Sequence, residues 1–128
     1  MSHLIDTHVL VWWLLDDTRL SKQASDLLDD PGASIFVSAA SAWELATKRR
    51  IGKLREAHVI AEALPTLVRR CRFKSLPVTL EHGHRAGLLP GLHKDPFDRM
   101  LAAQSIIEEL PLVTADPALV ALGASVIW

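Results

Sequence analysis

Two kinds of apolar pattern alternate along the chain. Short continuous runs, Leu4-Ile5, Ile35-Phe36-Val37, Leu112-Val113 and Val126-Ile127, are bounded by turn or capping residues. Runs of this length and kind read as strands buried on both faces. They predict strands over 2–6, 35–37, 112–114 and 126–128, with another short strand over 73–76 ended by Pro77. Between them lie amphipathic stretches with helix-starting residues. Thr7 can cap a helix over 8–15, Ser21 one over 22–29 and Thr79 one over 80–88. Ser41 can cap a helix over 42–50, with Glu44 at the capping-box spacing. Val59, Ile60, Ala63, Leu64, Leu67, Val68 and Cys71 recur at helical spacing over 57–72, and Pro65 is expected to kink that helix or start a new one. Asp95-Pro96 is a cap followed by proline at the first helical position, opening a helix to about Glu109.

Alternating strands and helices with continuously apolar strands predict an α/β fold: three layers, α/β/α, around a short central parallel sheet. No repeat or linker divides the 128 residues, so a single domain over 1–128 is expected. Hydrophobic residues at 49% and charged residues at 23% exclude disorder as the main state. The longest apolar runs fall far short of the ~20 residues a membrane helix needs. The N-terminus lacks a basic leader region, so no signal peptide and a cytoplasmic location are expected. A sole cysteine, Cys71, rules out an intrachain disulfide and a thiolate zinc cluster.

The net charge of -1 hides an uneven layout. Residues 1–44 hold seven acids and two bases, residues 45–99 twelve bases and five acids, and residues 100–128 three acids and no base. The acids carry the candidate chemistry. Asp6 ends the first strand, Asp116 follows another, Glu44 and Asp98 lie in the first turns of helices. Sites in doubly covered parallel sheets form beyond the carboxyl ends of the strands, so all four belong to one edge. Two like charges ~4 Å apart repel by about 4 kcal/mol at an effective dielectric of 20. Such a cluster needs compensation, and hard divalent cations with oxygen ligands supply it. The reaction that suits them is in-line displacement at phosphorus by metal-activated water.

The same residues carry a family resemblance. Leu4-Ile5-Asp6-Thr7-His8-Val9-Leu10-Val11-Trp12-Trp13 resembles the opening of a PIN domain. Ser41-Ala42-Trp43-Glu44-Leu45-Ala46-Thr47-Lys48 with Gly52-Lys53-Leu54 is similar to its second block. Leu92 to Gln104, containing Asp95-Pro96-Phe97-Asp98-Arg99, is similar to the third, and Leu112-Val113-Thr114-Ala115-Asp116 to the fourth. The blocks occur in order over nearly the whole chain, and the nearest group is the VapC-type toxins of toxin–antitoxin pairs that carry a DPFDR motif. The resemblance implies an endoribonuclease dependent on Mg2+ (or Mn2+), a homodimer, and silencing by a cognate antitoxin. It places the family's acids on Asp6, Glu44, Asp98 and Asp116, with Asp6 and Asp98 as primary metal ligands. His3 and Thr47 stand where the family more usually has apolar residues.

Supporting positions follow. Thr7 or Ser38 could orient a metal-bound water. Asp95 matches the motif but is better placed to cap its helix. Arg99 could pair with an acid or reach a phosphate, and His93 could contact substrate. Trp12, Trp13 and Trp43 read as packing residues, with base stacking as the alternative. No histidine spacing fits zinc. The basic segment suits either the RNA backbone or an acidic antitoxin tail. A metal-dependent nuclease acting on DNA and a non-catalytic RNA- or antitoxin-binding module remain as alternatives.

Overall fold

The structure is a computed structural model and describes residues 1–128. Five strands form one sheet: β1 (Ser2–Ile5), β2 (Ser34–Ser38), β3 (Lys74–Leu76), β4 (Leu112–Val113) and β5 (Val126–Ile127). The order is β3-β2-β1-β4-β5, and every pairing is parallel. Seven helices connect and cover them: α1 (Thr7–Leu14), α2 (Lys22–Asp29), α3 (Ala39–Arg50), α4 (His58–Arg70), α5 (Leu80–Leu88), α6 (Pro96–Glu108) and α7 (Pro117–Ala121).

Strand alternation sorts the core into two layers. Ile5, Ile35, Val37 and Val113 face one cluster, completed by Val9, Leu10 and Leu45 and by Ile60, Leu64 and Val68 of α4. Leu4 and Leu112 face the other, built from Ala86, Leu101, Ala102, Ala103 and Leu119. The register explains the sorting, since Leu4 pairs with both Phe36 and Leu112, and Leu112 with Val126. The expected three-layer α/β/α arrangement is therefore the one observed.

Several boundaries differ from the sequence expectation, each for a local reason. Asp6 leaves the first strand and becomes the N-cap position of α1, though its side chain makes no capping bond. Thr7 is already helical, and its hydroxyl donates to Ser41 Oγ at 2.8 Å instead of capping. Helix α3 starts at Ala39, three residues before the expected start, because Ser38 Oγ accepts the Ala40 N–H. Ser41 therefore lies inside the helix, and the Ser41–Glu44 capping box does not form. Pro65 neither ends nor divides α4. The interior proline forfeits a backbone hydrogen bond, at about 3 kcal/mol. Burial of Ile60, Leu64 and Val68 along one face offsets that loss. A one-turn 3-10 helix over Arg55–Ala57 precedes α4, and α7 was not anticipated after Asp116. Cys71, expected to be buried, is half-buried at the end of α4.

Edge and centre are tied by a buried polar chain. Ser38 Oγ donates to Gln104 Oε1 at 2.5 Å, and Gln104 Nε2 donates to the Pro77 carbonyl at 3.3 Å. Gln104 is fully buried in α6, so these bonds lock the end of β2 to the opposite layer. Gln104→Ala should strand the Ser38 hydroxyl and the Pro77 carbonyl, and lower unfolding free energy by about 1–3 kcal/mol. Urea denaturation measures this, with unchanged stability as the contrary result.

Candidate active site

The carboxyl ends of β1, β2 and β4 open on one edge, where α1, α3, α6 and α7 begin. Asp6, at the end of central strand β1, is 5% exposed. Its Oδ2 accepts a 2.7 Å hydrogen bond from Thr114 Oγ1, and Oδ1 carries no hydrogen bond within the protein. Thr114 Oγ1 in turn accepts the Asp116 N–H at 3.0 Å. The T-x-D spacing of Thr114 and Asp116 thus orients two acids at once. Thr114 is a site residue the sequence reading passed over. Its only signal was its place between an apolar strand and an acid.

The other acids gather around Asp6. The charges of Asp98 and Glu44 both act on Asp6, and that of Asp116 acts on Asp98. All four therefore share one electrostatic neighbourhood. Burial is the main cause that lifts the Asp6 carboxyl to about 6, and the Thr114 bond and His8 only partly oppose it. Asp98 is raised as well, chiefly by burial, with His93 pulling the other way. A cleft of about 290 Å3 reaches the acids between Asp6, His8, Trp12, Ala115 and Asp116.

Each acid has a distinct set of partners. Glu44, 2% exposed, is paired by Lys48 one turn along α3. The His93 ring Nε2 lies 2.8 Å from Asp98 Oδ2. Asp116 caps α7, its Oδ1 accepting the Ala118 N–H at 2.9 Å. Asp95 caps α6, its Oδ1 accepting the Phe97 N–H at 2.9 Å and the Asp98 N–H at 3.4 Å.

Three supporting roles anticipated from sequence are corrected here. Thr7 and Ser38, considered for orienting a water, are both buried and donate to Ser41 and Gln104. Arg99, considered for an acid or a phosphate, donates instead to the carbonyls of Ala86 and His93, at 2.8 and 2.9 Å, and to that of Leu89. A guanidinium presents five donors in a planar fork, which suits a cluster of carbonyls at a chain reversal. Arg99 thereby closes the loop between α5 and α6 that carries His93. Trp12 and Trp13 pack as expected, against Trp128 and Phe73. Trp43 packs edge to face on Phe97 and is 61% exposed.

The donors fit a hard divalent cation. They are carboxylate oxygens, and Asp6 offers one oxygen with no hydrogen-bond partner in the protein. No three His, Cys, Asp or Glu side chains close into a cage on their own. An open set of this kind would suit a hard cation that takes one or two carboxylates and retains water and phosphate oxygens. Of the basic segment, Arg49 pairs with Glu62 at 2.7 Å, while Arg50, Lys53, Arg69, Arg70 and Arg72 are exposed.

A doubly covered parallel sheet that gathers four acids at its carboxyl edge defines the class. The chain belongs to the PIN domain family, whose model matches residues 3–124. Its relatives narrow the placement: it is 31% identical over 114 residues to Ribonuclease VapC22 of Mycobacterium tuberculosis, spanning 88% of this chain and 85% of the relative. Ribonuclease VapC16 of the same organism is 40% identical over 60 residues, 47% of this chain, and the match spans only 41% of that relative's length. In fold, the chain is similar to VapC20 of M. tuberculosis, a Sarcin-Ricin loop cleaving toxin, with a TM-score of 0.69 and 16% identity over 99% of this chain and 98% of that one. It is also similar to a toxin-antitoxin complex from Klebsiella pneumoniae, with a TM-score of 0.65 and 18% identity over 98% and 96% of the two chains.

The raised Asp6 carboxyl has a thermodynamic signature. The folded state holds its proton up to about pH 6, whereas the unfolded chain releases it near 3.8. Stability is therefore lost as pH rises through that window, and the loss is complete above it. Two units correspond to about 3 kcal/mol as an upper bound. In metal-free buffer at neutral pH, Asp6→Asn should raise Tm, and the gain should vanish as pH falls towards 4. Thermal melts across that range provide the check, and an Asn variant less stable than the parent at neutral pH is the contrary result.

Proposed function

We propose that this chain is the toxin of a toxin–antitoxin pair and cleaves RNA internally with Mg2+ or Mn2+. The observation that carries this reading is Asp6, a buried carboxyl raised to about 6 among other acids, with no cationic side chain bonded to it. Such a group is unfavourable in the resting fold and becomes favourable when a divalent ion arrives. The ribonuclease names of the curated relatives support the choice of RNA.

Asp6 and Asp98 would hold the ion, with Asp116 and Glu44 completing the acidic cup. When bound, the ion supplies Lewis-acid stabilisation of charge at phosphorus and an acidified water. The chain's own part is orientation. Thr114 holds one oxygen of Asp6 and leaves the other directed outward. His93 does the same for Asp98. Lys48 pairs with the buried Glu44, so Glu44 reaches an ion only by giving up that partner. The products would carry 5′-phosphate and 3′-hydroxyl ends. No helix is long and apolar enough to cross a membrane, and the cytoplasm is the proposed place of action. A cognate antitoxin is the proposed partner, supported by the likeness to a toxin-antitoxin complex, and a homodimer the proposed assembly.

The test compares parent, Asp6→Asn and Asp98→Asn on RNA and on DNA of the same sequence. RNA cleavage should require Mg2+ or Mn2+ and cease with chelator. Each variant should lose at least about a hundredfold in rate while keeping its circular dichroism spectrum. Undiminished cleavage by both variants, or preference for DNA, would overturn the reading.

A further inference from the structure

Trp43 stands out from the other large side chains of the site. It is 61% exposed, although an indole loses much by facing water. Its ring meets that of Phe97 edge to face, with centroids 4.8 Å apart and planes at 70°. Phe97 is half-buried, so the contact holds the indole in a set orientation without covering it. Trp43 directly precedes Glu44 on α3, and Phe97 directly precedes Asp98 on α6. The aromatic pair therefore bridges the two helices that deliver these acids.

We infer that Trp43, braced by Phe97, is a stacking platform for a nucleobase next to the cleaved bond of a single-stranded RNA. The inference rests on the ribonuclease reading of the site and names the contact that holds the substrate there. A cup of four acids repels a polyanion, so a contact that does not depend on phosphate charge adds to affinity at this place. An exposed indole face supplies one, because every base presents a π-face. Trp43 thus has a role that packing alone does not explain. Unlike phosphate contacts, stacking survives added salt, and it tolerates base identity.

The experiment measures kcat and KM of the parent, Trp43→Ala and Trp43→Phe on a short single-stranded RNA of mixed sequence. The same RNA is also prepared with an abasic residue at each position around the cleaved bond. Trp43→Ala should raise KM about tenfold with kcat within about twofold, and Trp43→Phe should keep most of the affinity. One abasic position should raise KM for the parent by a similar factor and cause no further rise in Trp43→Ala. A side chain that merely supports the fold would not produce that non-additivity. Unchanged KM in Trp43→Ala overturns the inference, as do penalties that add at every abasic position. A switch of Trp43→Ala from dimer to monomer with no abasic coupling assigns the ring to a subunit contact and also overturns it. In these cases the parent still cleaves RNA. Failure of the parent to cleave RNA marks failure of the ribonuclease reading itself.

Discussion

A carboxyl group held out of water at the end of the central strand is the constraint around which the molecule is arranged. Asp6 occupies the middle of a five-stranded parallel sheet, where the strand ends and helix starts converge. Burial alone disfavours its charge, and the neighbouring acids add to the effect. The hydroxyl of Thr114 and the nearby His8 offset part of it. No cationic side chain is bonded to Asp6.

The second acid, Asp98, is placed by different means. Asp95 and Pro96 start α6, and the cap at Asp95 sets the first turn that carries Asp98. The loop before the helix is gathered by Arg99 through its backbone carbonyls, which brings His93 onto Asp98. The D-P-F-D-R stretch therefore acts as one local device: a cap, a helix start, an aromatic contact for Trp43, a ligand candidate and a loop clamp. Arg99 serves the site without touching substrate, because its fork is filled by the chain itself.

Helix α3 contributes an inner and an outer face. Glu44 and Ser41 are buried and meet Lys48 and Thr7, while the adjacent Trp43 is exposed and meets Phe97. Successive helical residues are about 100° apart, so neighbours in sequence serve different surroundings. The earlier start at Ser38 matters here. It moves Ser41 into the helix interior and releases Glu44 from any capping bond.

Alternating apolar runs and capped helices were enough to read the layer order from sequence, because strand burial and helix capping are local. The convergence of Asp6, Glu44 and Asp116 was legible because a parallel sheet sends every strand end to one edge, and Asp98 was legible from the cap and proline that open α6. Partners were not legible. That Thr114 would hold Asp6, 108 positions away, depends on β1 and β4 lying side by side. That Thr7 and Ser38 would be occupied by Ser41 and Gln104 depends on how the layers close. Arg99 could not be assigned from its neighbours, since the carbonyls it meets gather only when α5 packs on α6. Sequence by itself determined which residues could be acidic, apolar or capping at each place. Tertiary structure alone decided which polar groups were already satisfied. A hydrogen bond forms between whatever groups the fold brings within reach, and that reach is not written in local spacing.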